Sequence, residues 1–229
     1  MIGVYDYTVL LTYLGFASGI FGIISALNGD FFLSVFALMF SGLCDMFDGK
    51  VARTKKKRTN DEKNFGMQLD SLSDLVCFGV LPAVIGYQLG MDKLYLVPIV
   101  LFFPLAALIR LAYFNVTCEE TQSEGLDRKK YYFGLPVTST ALIFPTFLII
   151  RYSVADLFHY DISHFYFVLL VIVGILFVAK FKITKPSNFW IYIMVAFGAV
   201  EFIILLFFNG LHKDIWDYIG GIFQAFAGK

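Results

Sequence analysis

The chain has 229 residues, 59% hydrophobic, 18% aromatic and only 16% charged, with Lys+Arg 18 balancing Asp+Glu 18, and a mean hydropathy of +0.74. These values lie outside the composition of soluble domains and make lipid the expected solvent. The charges crowd into a few short segments, so their zero sum says little about partners, and no nucleic-acid partner is expected.

A bilayer core about 30 Å thick is crossed by about 20 apolar helical residues, and lipid offers unpaired backbone groups no partner, so each long apolar run predicts a helix. The first run covers residues 8–27. It lacks the basic start and small-residue cleavage site of a signal peptide, so it is expected to stay in the mature protein. After Asn28, Gly29 and Asp30, the second run covers 31–47 and leads into a strongly charged stretch over 50–68. Further runs follow at 69–89, 94–114, 135–151, 164–181 and 189–208. Strand-like alternation is absent. The expectation is an all-α polytopic transmembrane helix bundle of about seven spans, forming one membrane domain over 1–229. The tail 214–226 has apolar residues at near-helical spacing, which leaves open an interfacial helix or an eighth span.

Cations fix the expected orientation. Lys50, Arg53, Lys55, Lys56, Lys57, Arg58 and Lys63 fill the second connection; Arg128, Lys129 and Lys130 the fourth; Lys180, Lys182 and Lys185 the sixth. These alternate connections are expected to face the cytoplasm, with the N-terminus, in a multi-pass protein of the cell membrane. The basic run 55–58 marks topology, with recruitment of an anionic lipid as a second role left open. Cys44, Cys77 and Cys118 form no CxxC pair and are expected to be reduced packing residues.

The chemistry is expected on that face. Asp45 and Asp48 stand three apart, and Asp70 and Asp74 four apart, so each pair projects from one side of a helix. Four acids at adjacent helix ends call for a compensating charge, which Arg53 alone cannot supply. Hard oxygen donors suit Mg²⁺ or Mn²⁺, with Ca²⁺ a further occupant, and a paired-metal site for phosphoryl transfer is the reading that follows. Gly49 and Ala52 leave a helix face without bulk, where a base or phosphate could approach closely, and Gly66 offers similar clearance opposite. Arg53, on the next turn, could clamp a diphosphate.

These residues resemble the CDP-alcohol phosphatidyltransferases, whose motif reads D-x2-D-G-x2-A-R, a spacer, then G-x3-D-x3-D. Asp45, Asp48, Gly49, Ala52, Arg53, Gly66, Asp70 and Asp74 fill every defined position. The departure is the spacer: twelve residues, 54–65, several more than is usual in the family, which predicts that both helices extend into the cytoplasm. The segment from Gln68 to Pro82, with Arg110, Phe114, Asn115 and the run Phe133, Gly134, Leu135, Pro136, is similar to the membrane-embedded phosphatidylserine synthases within that family.

The resemblance implies that Asp45, Asp48 and Asp70 bind two divalent ions, with Asp74 sharing the second and acting as general base. It implies a nucleotide near Asp45, Gly49, Ala52 and Gly66, with Arg53 on the diphosphate. CDP-diacylglycerol and L-serine would be the substrates and CMP a product, among membrane lipids and in a homodimer. Candidates for binding serine are Arg110, Asn115, Lys129 and Lys130. Left open are glycerol phosphate or inositol phosphate as acceptor, an archaeal ether-lipid donor and, in another class, a cation transporter. A phosphohistidine mechanism is not expected, because no histidine stands in an H-x-K-x4-D arrangement. His159 and His164 are expected in a solvated loop on the outer side, Glu201 in a polar interhelical or dimer contact, and Pro136 at a helix start.

Overall fold

The computed structural model describes residues 3, 6–55, 58–123, 131–184 and 188–208, with the side chains of 118–133, 156, 182–191 and 208 left aside. Lys56, Lys57, Arg128, Lys129, Lys130, Lys185 and the tail 214–226 lie outside the described residues.

Seven helices are described: α1 Tyr7–Leu27, α2 Phe31–Thr54, α3 Asn60–Met91, α4 Val97–Ser123, α5 Thr140–Phe158, α6 Tyr166–Val178 and α7 Asn188–Phe208. The first five contain apolar stretches long enough to cross a membrane, and shorter apolar helices over Ser163–Val178 and Tyr192–Phe207 follow. Side-chain caps set three of the starts, by satisfying amides that the helix itself leaves without partners. Asp6 accepts from Thr8 N at 2.8 Å and Asp30 from Leu33 N at 3.0 Å. Thr59 and Glu62 form a reciprocal capping box, in which Glu62 N donates to Thr59 at 3.2 Å and Thr59 N to Glu62 at 3.0 Å.

Packing follows membrane logic. The buried face of α1 is small and polar, with Thr8, Thr12, Gly15, Gly19, Gly22 and Ser25, whereas Leu10, Leu14, Phe16, Phe21 and Ile24 are exposed. Large apolar side chains gain nothing by leaving lipid for protein, so small residues face inward and let the helices close up. A Cβ on Gly19 would lie 2.4 Å from Cys77 Sγ, and one on Gly22 2.8 Å from Leu81 Cδ2. Ser18 and Ser41 donate across this contact to Ala37 O and Gly15 O, each at 2.9 Å. Cys44 and Cys77 are buried free thiols in the same seam, as expected of packing residues.

An aromatic core joins α4, α5 and α6. The rings of Phe103 and Phe144 meet edge to face at 5.7 Å, and Tyr166 OH donates to Pro82 O at 3.0 Å. Helix α3 widens into a π-helical turn over Leu75–Val80, directly after Asp74 and before Pro82, whose missing N–H interrupts the ladder.

One feature carries no alternating signature in the sequence. Tyr131–Phe133 pairs antiparallel with Lys182–Thr184 (β1 and β2), in the register Tyr132 to Ile183. This ribbon ties the α4–α5 connection to the α6–α7 connection, so the two lie at one end of the bundle. Gly134, at φ +71°, follows β1; its Cβ would meet Phe177 O at 2.7 Å, a place only glycine fits. Pro136 then precedes the helical turn Val137–Ser139, matching the expected helix start.

Candidate functional site

Helix α2 does not stop where its apolar stretch does. It continues to Thr54, and α3 begins at Asn60, so residues 54 and 60–65 of the spacer are helical. The two half-motifs therefore lie on facing helix ends, as the long spacer predicts.

All four aspartates meet there. Carboxylate oxygens of Asp45, Asp70 and Asp74 lie within 4.8 Å of one another. Asp48 reaches the Asp70 carboxyl group directly. Asp48 and Asp74 are buried, at 8% and 9% exposure. Carboxylates this close need a cation or a proton between them. An all-oxygen set from acids fits a hard divalent cation, and Asp45, Asp70 and Asp74 are close enough to share one.

A residue with no place in the motif completes the cluster. Thr12, on the inner face of α1, donates from Oγ1 to Asp48 Oδ2 at 3.0 Å in a buried setting. Its signal in the sequence is only its place in the small, polar stripe Thr8, Thr12, Gly15, Gly19.

The nucleotide candidates are arranged less uniformly. Gly49 is exposed and open, since a Cβ there would meet nothing nearer than Arg53 Nη2 at 3.9 Å. Arg53 folds back along its own helix, Nε donating to Gly49 O at 2.9 Å, and is exposed. Ala52 is half-buried. Gly66 has its open face taken by the Arg58 guanidinium.

Of the acceptor candidates, Asn115 comes close to the acids: its Oδ1 accepts from Ser71 Oγ at 3.0 Å, one residue beyond Asp70. Arg110 is buried at 7% exposure, with its guanidinium 5.4 Å from the Phe114 ring centre. Lys129 and Lys130 lie outside the described residues.

Ion pairs tie helix ends to the segments beside them at two places. Lys55 bridges Asp6 at 2.7 Å and Glu62 at 2.9 Å, tying the start of α1 to the spacer. The Lys55 ammonium, helped by Thr8, holds the Asp6 carboxyl down at about 2. At the second place Arg151 donates twice to Asp161, at 2.8 and 3.0 Å, and holds that carboxyl at about 2. His159 ends α5 in a left-handed conformation near this ion pair, and His164 lies in the turn after it. Glu201 is buried and meets Thr146 across α5 and α7, the interhelical contact expected of it.

Beside the acids lies an apolar cavity of about 440 Å³ between α2, α5 and α7. Phe40, Met46, Ala141, Leu142, Ala199 and Phe202 are among its walls, and Asp45 is its one acidic wall residue.

The chain is 38% identical over 143 residues to the CDP-diacylglycerol–serine O-phosphatidyltransferase of Saccharomyces cerevisiae, covering 59% of this chain and 49% of that protein. It is 30% identical over 196 residues to the protein of the same name from Methanocaldococcus jannaschii, covering 84% and 80%. It is also 32% identical over 139 residues to the archaetidylserine synthase of Methanothermobacter thermautotrophicus, covering 60% and 55%. The chain thus matches about half the length of the yeast relative and four fifths of the Methanocaldococcus one. The family's own sequence pattern matches residues 8–176, a stretch holding all four converging aspartates and Thr12, and on this basis the chain belongs to the CDP-alcohol phosphatidyltransferase family.

Proposed function

We propose that this protein transfers the phosphatidyl group of CDP-diacylglycerol to the hydroxyl of L-serine, giving phosphatidylserine and CMP. The observation that carries the reading is the convergence of Asp45, Asp48, Asp70 and Asp74 from two facing helix ends. The names of the relatives supply the donor and the acceptor.

The residues divide the work. Asp45, Asp48, Asp70 and Asp74 hold the divalent ions, Mg²⁺ or Mn²⁺, which when bound neutralise charge on the phosphoryl oxygens and the leaving group. Asp74, buried beside Asp45 and Asp70, takes the proton of the serine hydroxyl as the new oxygen–phosphorus bond forms and the bond to CMP breaks. No covalent enzyme intermediate is involved. Gly49, Ala52 and Gly66 give the nucleotide room, and Arg53 swings from Gly49 O to the diphosphate. Asn115 and Arg110 orient serine, together with Lys129 and Lys130. The cavity beside Asp45 suits a lipid tail, because it is apolar and borders the acids.

Location supports the same reading. Lipid tails stay in the bilayer while nucleotide and serine arrive from water at the basic end, which the distribution of cations assigns to the cytoplasm of the cell membrane. The protein acts as one membrane domain and as a homodimer. The archaetidylserine synthase among its relatives favours a second form of the same reaction, with an ether-linked donor; an apolar cavity does not distinguish the two linkages.

The test is CMP release by purified protein from CDP-diacylglycerol, with Mg²⁺ or Mn²⁺ and labelled serine, glycerol phosphate or inositol phosphate. Release is expected with serine and is expected to be lost in Asp74→Asn. Release driven by either of the other acceptors, with serine inert, would overturn the assignment of the acceptor.

A further inference from the structure

The spacer carries an arginine that the motif does not call for, and its side chain lies on a motif position. Arg58 precedes Thr59, the cap of α3, and folds along the helix so that Nη2 donates to Glu62 O at 3.1 Å. A Cβ on Gly66 would lie 2.9 Å from that same nitrogen. The clearance that the glycine creates is therefore occupied by a cation. Gly66 stands four residues before Asp70, on the same helix face and about 6 Å further along the axis.

The guanidinium is unusually under-used. Its Nε is shut off from solvent and has no hydrogen-bond partner. Among the described residues no carboxylate pairs with it. The nearest acid in sequence, Glu62, is committed elsewhere, its carboxylate taking Lys55 Nζ at 2.9 Å and Thr59 N at 3.0 Å. A guanidinium keeps its charge and offers five donors in a planar fork. Leaving a buried donor empty is costly, so a part-buried fork with spare donors is suited to an oxyanion.

We propose that Arg58 is a ligand of the diphosphate of the nucleotide-activated donor, binding it from the face of Gly66 that its guanidinium covers. This rests on the reading of the donor as a CDP-lipid. Four aspartates repel an incoming diphosphate. A cation one turn away offsets that repulsion on the side where Arg53 is turned back onto its own helix. The lengthened spacer thereby has a function: it delivers a second arginine to the motif.

The test is titration of the purified, detergent-solubilised protein with CDP and with CMP in the presence of Mn²⁺, followed by steady-state kinetics with CDP-diacylglycerol. Arg58→Ala is expected to weaken CDP about tenfold, on the scale of one charge-assisted hydrogen bond, and CMP by less. KM for the donor should rise while kcat holds, and Arg58→Lys should recover part of the loss. Unchanged Mn²⁺ binding shows that the fold and the acids are intact. CDP bound by Arg58→Ala as tightly as by the wild type overturns the proposal, and tighter binding identifies Arg58 as a plug that must leave. A wild-type protein that binds no CDP and releases no CMP overturns the donor reading itself, and Arg58 with it.

Discussion

Thr12 Oγ1 and Asp48 Oδ2 are joined by a 3.0 Å hydrogen bond across 36 positions of sequence, linking the first span to the motif on the second. A hydroxyl that donates to a buried carboxylate fixes the direction of its remaining lone pairs, and so sets how the group can face a cation.

Thr12→Val keeps the shape of the side chain and removes the donor. Mn²⁺ affinity, measured by calorimetry or electron paramagnetic resonance, should fall roughly 10- to 100-fold. Thr12→Ser should retain it. Wild-type affinity in the valine variant would show that the bond does not orient Asp48.

Asp45→Asn and Asp70→Asn should each reduce CMP release by about a thousandfold or more, and the double variant should be scarcely worse, because the acids act as a unit. Glu201→Gln, in the contact with Thr146 between α5 and α7, should remain active. Additive losses from the two aspartates would speak against one shared site.

Ala199 is a small residue in the cavity wall, so Ala199→Phe should fill the space. KM for a long-chain donor should rise about tenfold, since displacing two buried methylenes already costs about 1.6 kcal/mol. A short-chain donor should be handled nearly as before. Equal effects on both donors would remove the cavity from the path of the lipid tail.

Gly19→Leu places a branched side chain where even a Cβ would lie 2.4 Å from Cys77 Sγ. Overpacking of this kind costs about 1–3 kcal/mol or more, and Tm in detergent should drop by several degrees. Gly19→Ala combined with Cys77→Ala should melt higher than Gly19→Ala alone.

The ion pair at the N-terminus gives a pH dependence of definite sign. Asp6 lies at about 2 in the folded protein against an ordinary 3.8, so its contribution is complete above about 4 and is lost as pH falls from there towards 2. Lys55 is raised above its ordinary 10.5 by Asp6 and Glu62, so its contribution is complete below that value and is lost at higher pH. The difference in Tm between wild type and Asp6→Asn should be constant from pH 5 to 9 and shrink below 4. A difference that grows on acidification would contradict the pairing.

Much of this could be read from the chain as a string. Hydropathy marks the spans to within a few residues, because covering a backbone in lipid is a local requirement that each segment meets by itself. The aspartate pairs are equally legible, since helical spacing puts residues three and four apart on one face wherever the helix lies. Even the extended ends of α2 and α3 follow from the length of the spacer and its polar composition.

Where those faces point was decided only in three dimensions. Thr12 beside Asp48, Asn115 beside Ser71 and the ribbon joining Tyr132 to Ile183 bring together segments whose separation in sequence carries no signal of contact. They depend on how closely helices approach, which Gly19 and Gly22 permit, and on the rotation of each helix about its own axis. Local periodicity determines which residues share a side of a helix, but only the packing of all the helices together determines what that side meets.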